Sequence, residues 1–177
     1  MIEEVILVDE NDTPIGTCEK MAAHQNGGRL HRCISIFVFS EKGEMLLQRR
    51  AKDKYHCGGQ WSNTCCSHPR PGEDVKDAAH RRLKEEMGFE CPLTEIYHFT
   101  YRTEFKNGLT EHEYDHVFVG VWDGTPKINP EEADDWKYVS PEAIRQDMRA
   151  HPERYTSWFR ISFEDVVRQY TLWITHS

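Results

Sequence analysis

The stretch SHPRPGEDVKDAAHRRLKEEMGF, residues 67–89, decides how the chain is read. A Pro-Gly turn at Pro71-Gly72 leads into a helical pattern running from Glu73 to Met87. Counted from Val75 at about 100° per residue, Ala78, Ala79, Leu83 and Met87 form an apolar stripe of ordinary width. Arg82 and Glu86 fall inside that stripe, and Glu85 lies at its edge. A carboxylate on a core face is costly unless it is paired or bound to a metal. Two explanations stay open at this point. One is an i, i+4 ion pair between Arg82 and Glu86, worth little when exposed. The other is a metal-binding or catalytic role for Glu86.

Outside this helix the pattern is mixed. EEVILVDE reads as a short strand followed by a turn at NDTPIG. CISIFVFSEKGEMLLQRR reads as two β segments joined by a turn at residues 41–44. EIYHFTYRTEFKNGLTEHEYDHVFVGVW reads as a hairpin around Asn107-Gly108, and NPEEADD as an acidic loop. Ser140-Pro141 resembles a helix start, opening a helical C-terminal part at about 140–177. With 177 residues and no obvious linker, the expectation is a single α/β (α+β) domain spanning 1–177, a mixed sheet flanked by helices.

Composition narrows the class. The formal charge of −8 argues against nucleic acid as a partner. No apolar run reaches about 18 residues, so no membrane span is expected. The start, MIEEVILVDENDTP, is acidic where a signal peptide is basic, so the chain reads as cytoplasmic. Its six cysteines (Cys18, Cys33, Cys57, Cys65, Cys66 and Cys91) make no CxxC pair, and free thiols are expected. No large amphipathic extension is evident, so a monomer is expected. One local cluster runs against the overall charge: QRRAKDK gathers Arg49, Arg50, Lys52 and Lys54. It is either a solvated loop or an anion site.

The hairpin raises a second charge problem. Glu111 and Glu113 are two apart on a strand, so both point to one face, where like charges need solvent or a cation between them. A two-residue turn would set Arg102 opposite Glu113. A three-residue turn, Lys106 to Gly108 with Gly108 left-handed, would set Tyr101 there. Both registers fit the sequence. Ten histidines supply possible ligands in number, but spacing alone unites none of His24, His31 and His68.

Residues 67–89 resemble the nudix box, with Glu73, Arg81, Leu83, Glu85, Glu86, Gly88 and Phe89 at matching positions. Ser67 replaces its first glycine, and Arg82 replaces the glutamate after its arginine. In nudix hydrolases these carboxylates hold the magnesium that assists diphosphate cleavage, so the departures set hydrolysis at a disadvantage. Together with NTCCSHP, and with EKMAAHQNGGRLHR, LLQRRAKDK, GGQWSN, YRTEF, EHE and SWF elsewhere, they resemble the type I isopentenyl-diphosphate isomerases, nudix-fold enzymes that do not hydrolyse.

That resemblance implies a set of roles. Metal ligands fall on His24, His31, His68, Glu111 and Glu113, a nitrogen and oxygen set suited to Mn2+ or Zn2+. A second ion, Mg2+, falls at Glu86 with the substrate diphosphate, beside the Cys66 carbonyl. Catalysis falls on Cys66 and Glu113; because a metal on Glu113 lowers its proton affinity, a relay through the Tyr101 hydroxyl would ease the transfer and favours the three-residue turn. Lys20, Arg50 and Lys54 match diphosphate contacts, and Trp158 with Tyr101 lines the hydrocarbon. Cys65 reads as a small buried hydrophobe. The implied activity interconverts isopentenyl and dimethylallyl diphosphate; the alternatives are a nudix diphosphohydrolase and a non-catalytic metal-binding module.

Overall fold

Around one central strand, β3 (His31–Phe39), a mixed nine-stranded sheet is assembled in the computed structural model, which describes residues 1–177. Apart from Arg32, β3 is buried along its whole length, as its apolar run CISIFVF requires of a strand covered on both faces. One edge pairs in parallel with β8 (Thr110–Val121), from His31 opposite Glu113 to Phe39 opposite Val121. Three strands share the other edge in turn. β1 (Glu4–Val8) meets it at His31, β6 (Cys65–Ser67) at Ile34 to Ile36, and β4 (Met45–Arg50) at Phe39. β2 (Pro14–Glu19) pairs outside β1, and β7 (Thr94–Glu104) outside β8. β4 carries β5 (Trp61–Ser62) and β9 (Ala133–Val139).

Alternation along β3 divides the core. Ile34, Ile36 and Val38 pack against Ala78, Ala79, Leu83 and Met87 of α2 (Val75–Met87). Phe37 and Phe39 join Val117 and Val119 against Ile144 of α3 (Pro141–Ala150) and Phe159, Phe163 and Val166 of α4 (Ser157–His176). Burying one such side chain is worth about 1.5–3 kcal/mol. Both central helices begin on capped ends: Asp74 accepts from Lys76 N and Asp77 N, and Ser140 accepts from Ala143 N with Pro141 in the first turn. A short helix, α1 (Lys20–Ala23), follows β2.

Three local readings change. Pro14-Ile15-Gly16, read as part of a turn, opens β2, an almost wholly exposed edge strand that tolerates proline. In NPEEADD only the first part is loop; Ala133–Asp135 enter β9, where Arg49 bonds Asp134 at 2.5 Å. α1 was not foreseen, because four residues carry no measurable periodicity. In the two strands, pairing with distant residues decides the conformation.

On the outer side of β8, His116 clips the sheet together. It bonds Glu95 through Nδ1 at 2.5 Å and Asp12 through Nε2 at 2.8 Å, and Arg32 holds the other oxygen of Asp12 at 2.7 Å. Burial alone would lower the His116 pKa, but Glu95 and Asp12 outweigh it and raise it. The charged imidazole therefore stabilises the fold fully below the unfolded pKa of about 6.5, and the contribution is lost as pH rises through the raised folded value. Melting curves should show wild type more stable than His116→Gln at pH 6, with the gap closing as pH rises.

Candidate active site

Two histidines reach the site through one short loop. His24 caps the C-terminus of α1, and His31 opens β3. Between them Arg29 N donates to Ala23 O at 2.8 Å, and Thr110 N of β8 donates to His24 O at 2.8 Å. Gly28, at φ 75°, leaves no room for a Cβ, which would lie 2.9 Å from the Thr110 side chain. His68 follows β6, and Glu113 lies on β8 opposite His31. The ligand atoms of His24, His31, His68 and Glu113 all lie within 4.8 Å of one another.

The hydrogen-bond pattern fits a cation there. His24 Nδ1 meets Lys20 O at 2.7 Å and His31 Nδ1 meets Arg29 O at 2.8 Å; each ring nitrogen must be the donor, because a carbonyl only accepts. The Nε2 atoms then turn inward. His31 Nε2 and His68 Nε2 stand 3.2 and 3.0 Å from Glu113 Oε1, while His24 Nε2 lies 3.9 Å away, buried and unpartnered. Lone pairs crowded in this way need a proton or a metal between them. A backbone-oriented imidazole is the usual support for a metal ligand. Burial lowers His24, and takes His68 down to about 4, although Glu113 opposes it. His31 moves up, because its bond to Glu113 outweighs burial. Burial would raise the Glu113 carboxyl, but bonds from His31 and His68 hold it well below the usual range.

The β7–β8 turn settles the open register. Phe105 N donates to Leu109 O at 2.8 Å, leaving Lys106 to Gly108 as the loop with Gly108 at φ 82°, so Tyr101 pairs with Glu113. The Tyr101 hydroxyl lies 2.5 Å from Glu113 Oε2 and 3.0 Å from Glu111 Oε2. One hydroxyl proton cannot serve both carboxylates at once, so the two compete for it. Burial, then the Glu113 charge, raise Glu111 to about 8. Glu111 thus stands outside the four-group cluster, held by Tyr101 and by a short bond from its Oε1 to His56.

Cys66 approaches from the other edge of β3, opposite Ser35. Its thiol donates to Asn63 Oδ1 at 3.0 Å and lies 3.6 Å from Ser35 Oγ, which itself donates to the buried Asp115 at 2.6 Å. Burial pushes the thiol far above its ordinary value, so it remains S–H. Alternation sends Cys65 into the α2 side of the core, as a buried hydrophobe. All six cysteines are free.

These groups open into one cavity of about 380 Å³, whose wall includes Cys66, His68, Tyr101, Glu113 and Trp158. Lys20, Arg50, Lys54 and Arg82 line it too. Each of the three predicted anion contacts already has a partner: Lys20 bonds Glu3 at 3.1 Å, Lys54 bonds Glu132 at 2.6 Å, and Arg50 lies 5.1 Å over the Trp158 ring. Glu86, 3% exposed, accepts from Arg82 at 2.5 Å and from Gln48 at 3.0 Å, so the ion pair is real. Arg50 Nε, Arg82 Nε and Trp158 Nε1 are nonetheless buried without partners. Unpaired buried donors are rare, and all three belong to residues on the cavity wall.

Sequence reasoning did not find His56, Asn63, Ser35 or Glu132. None sits in a periodic pattern that marks it. His56 lies just beyond the basic cluster, and Asn63 opens the NTCCSHP stretch.

The NUDIX domain family matches residues 29–159, and the chain has that fold. A Deinococcus radiodurans protein, DR0079, superposes with a TM-score of 0.76 at 21% identity, covering 94% of this chain and 98% of that one. A MutT protein from Methanosarcina mazei gives 0.66 at 24% identity, over 79% and 94%. Within this superfamily sequence similarity is far more specific. An isopentenyl-diphosphate Delta-isomerase 2 of Aromatoleum aromaticum (strain DSM 19018 / LMG 30748 / EbN1) is 56% identical across 94% of this chain and 88% of its own length. An isopentenyl-diphosphate Delta-isomerase of Pectobacterium atrosepticum is 52% identical across 92% and 90%. The chain belongs to the isopentenyl-diphosphate Delta-isomerase family.

Metal binding is directly measurable. Calorimetric titration with Mn2+ or Zn2+ should show one tight site, and a 100-fold excess over the dissociation constant should add about 2.7 kcal/mol of stability. His31→Ala should remove both the heat and the stabilisation, and a chelator should reverse them in wild type.

Proposed function

We infer that the chain interconverts isopentenyl and dimethylallyl diphosphate in isoprenoid biosynthesis, moving a double bond by one carbon. One observation carries the reading. A single cavity is lined by a thiol, a phenol–carboxylate pair and an indole together with Lys20, Arg50 and Lys54. Family relatives bearing the isomerase name support it at about half identity over most of the chain.

An unactivated alkene is a very poor base, so its protonation passes through a tertiary carbocation or something close to it. The site must supply an acid, a base and no water. In this reading Cys66 is one partner, kept as S–H by burial and aimed by Asn63. Glu113 is the other, coupled through the Tyr101 hydroxyl to Glu111 as a second place to hold a proton. Both project to the same face of the sheet from strands on opposite edges of β3, so a flat substrate lying over β3 would have one group on each side. Trp158 offers its π face to the cation, worth about 2 kcal/mol when desolvated.

His24, His31, His68 and Glu113, with Glu111 adjacent, would hold Mn2+ or Zn2+, and Glu86 with the Cys66 carbonyl would hold Mg2+. Bound divalent ions supply positive charge that lowers carboxyl proton affinity and offsets a diphosphate. Glu86 can serve only if Arg82 turns away, and Arg82 already lines the cavity where diphosphate oxygens would accept from it. Lys20, Arg50 and Lys54 would exchange protein partners for the same anion, fixing the hydrocarbon by its far end. No helix is long and apolar enough to cross a membrane. We propose a cytoplasmic monomer working as one catalytic unit over 1–177, on a small diphosphate and without nucleic acid.

Deuterium entering the substrate's methyl and methylene positions, without phosphate release, is the expected NMR result in heavy water. Free phosphate or diphosphate without exchange would instead mark a hydrolase. Cys66→Ala should lower kcat by about 100-fold or more while metal content and melting temperature stay unchanged.

A further inference from the structure

We propose that His56 is a positioning residue for this reaction: a neutral imidazole that ties the Glu111 carboxylate to the Arg50 guanidinium, joining the diphosphate cradle to the acid–base group. The inference rests on the function proposed above and concerns a residue that function does not use.

Hydrogen-bond chemistry fixes the state of the ring. Arg50 Nη2 lies 3.3 Å from His56 Nδ1, and a guanidinium has donors only. Nδ1 therefore accepts, and the ring proton sits on Nε2. That nitrogen faces Glu111 Oε1 in a short contact and donates to it. Arg50 Nη2 also reaches the His56 carbonyl at 3.4 Å, so one guanidinium grips both ring and backbone.

Packing fixes the ring's orientation. It stacks on Tyr55 with centroids 4.1 Å apart and planes 10° apart, and meets the Phe105 ring edge-on at 5.0 Å. His56 is 7% exposed, and both ring nitrogens have protein partners.

A continuous chain results: Arg50 to His56, His56 to Glu111, Glu111 to Tyr101, and Tyr101 to Glu113. Its first member is a diphosphate contact and its last the proposed catalytic carboxylate. A link in the middle must accept on one side and donate on the other while adding no charge to a crowded site. Imidazole does this, and a glutamine amide can do it too. Phenylalanine fills the same space but does neither. Anion binding at Arg50 would thus be felt at the carboxylates through the ring, as a change in turnover more than in affinity.

The experiment compares His56→Phe and His56→Gln with wild type, in saturating Mg2+ and Mn2+, by steady-state isomerisation. Wild type is assayed first; its failure to isomerise overturns the function, whereas an active wild type with an indifferent His56 overturns this inference alone. His56→Phe should lower kcat about 10- to 100-fold, the usual cost of losing a ligand-orienting partner, with KM changed by less than about 3-fold and the melting temperature held. His56→Gln should recover most of that loss. Equal kcat in wild type and His56→Phe, or a glutamine variant as slow as the phenylalanine one, would overturn the proposal. Should His56→Phe not fold, His56→Ala with added imidazole replaces it: rescue of kcat supports the positioning role, and no rescue refutes it.

Discussion

The parallel seam between β3 and β8 is the constraint on which the site depends. Nine consecutive pairs, from His31–Glu113 to Phe39–Val121, lock the two strands together. Side chains alternate with a strict period of two, so a slip of one residue would send every inward group to the other face. Both strands change character along their shared face. Phe37, Phe39, Val117 and Val119 build the apolar core, while His31, Ser35, Glu111, Glu113 and Asp115 continue it as buried polar groups. The candidate site is the polar end of a core face. The apolar end anchors the register, and the register aims the polar end. Two further ladders finish the work, β6 setting Cys66 against Ser35 and β7 setting Tyr101 against Glu113.

Burying three acids within five residues of one strand is costly unless each finds a counterpart. The three solve the problem differently. Glu113 is met by three imidazoles, and Glu111 by His56 and the Tyr101 hydroxyl. Asp115 has Ser35 on one oxygen and nothing on the other, and burial raises its pKa to about 7. The carboxylates thus differ in proton affinity though they share a strand, which acid–base chemistry needs. A net acidic chain can still accept an anionic substrate, because its cations are concentrated on the cavity wall and are held there by carboxylates such as Glu3 and Glu132.

Much of this was legible in residue order. The apolar run of β3, the capped start of α3, the stripe on α2 and the hairpin all follow local rules, and local rules are what a sequence displays. The misplaced charge at Glu86 was visible for the same reason. What stayed hidden was long-range. His24 and His31 converge through a loop that only Gly28 can pack against Thr110. The hairpin register turned on one residue of loop length, which the sequence left balanced. His56 is marked by no periodicity at all, since its partners lie 6 and 55 positions away. The polar residues that support a site are chosen by the space around it, and that space exists only after the chain has folded.

The α2 helix also explains why a nudix fold should leave hydrolysis. A diphosphohydrolase needs several carboxylates on this helix to gather cations and activate water. Here Arg82 takes one such position, and it neutralises Glu86 at 2.5 Å while bonding Glu85 and Glu132 as well. The helix therefore offers one usable carboxylate and a cation in place of a cluster of anions. That combination favours holding a diphosphate over attacking it, because a guanidinium binds the anion yet cannot take a proton from water. The carboxylates with proton affinity to spare sit instead on β8, across the sheet from the helix, beside a thiol and an indole. On the proposed function, chemistry would move from the phosphate end of the cavity to its hydrocarbon end on the same fold.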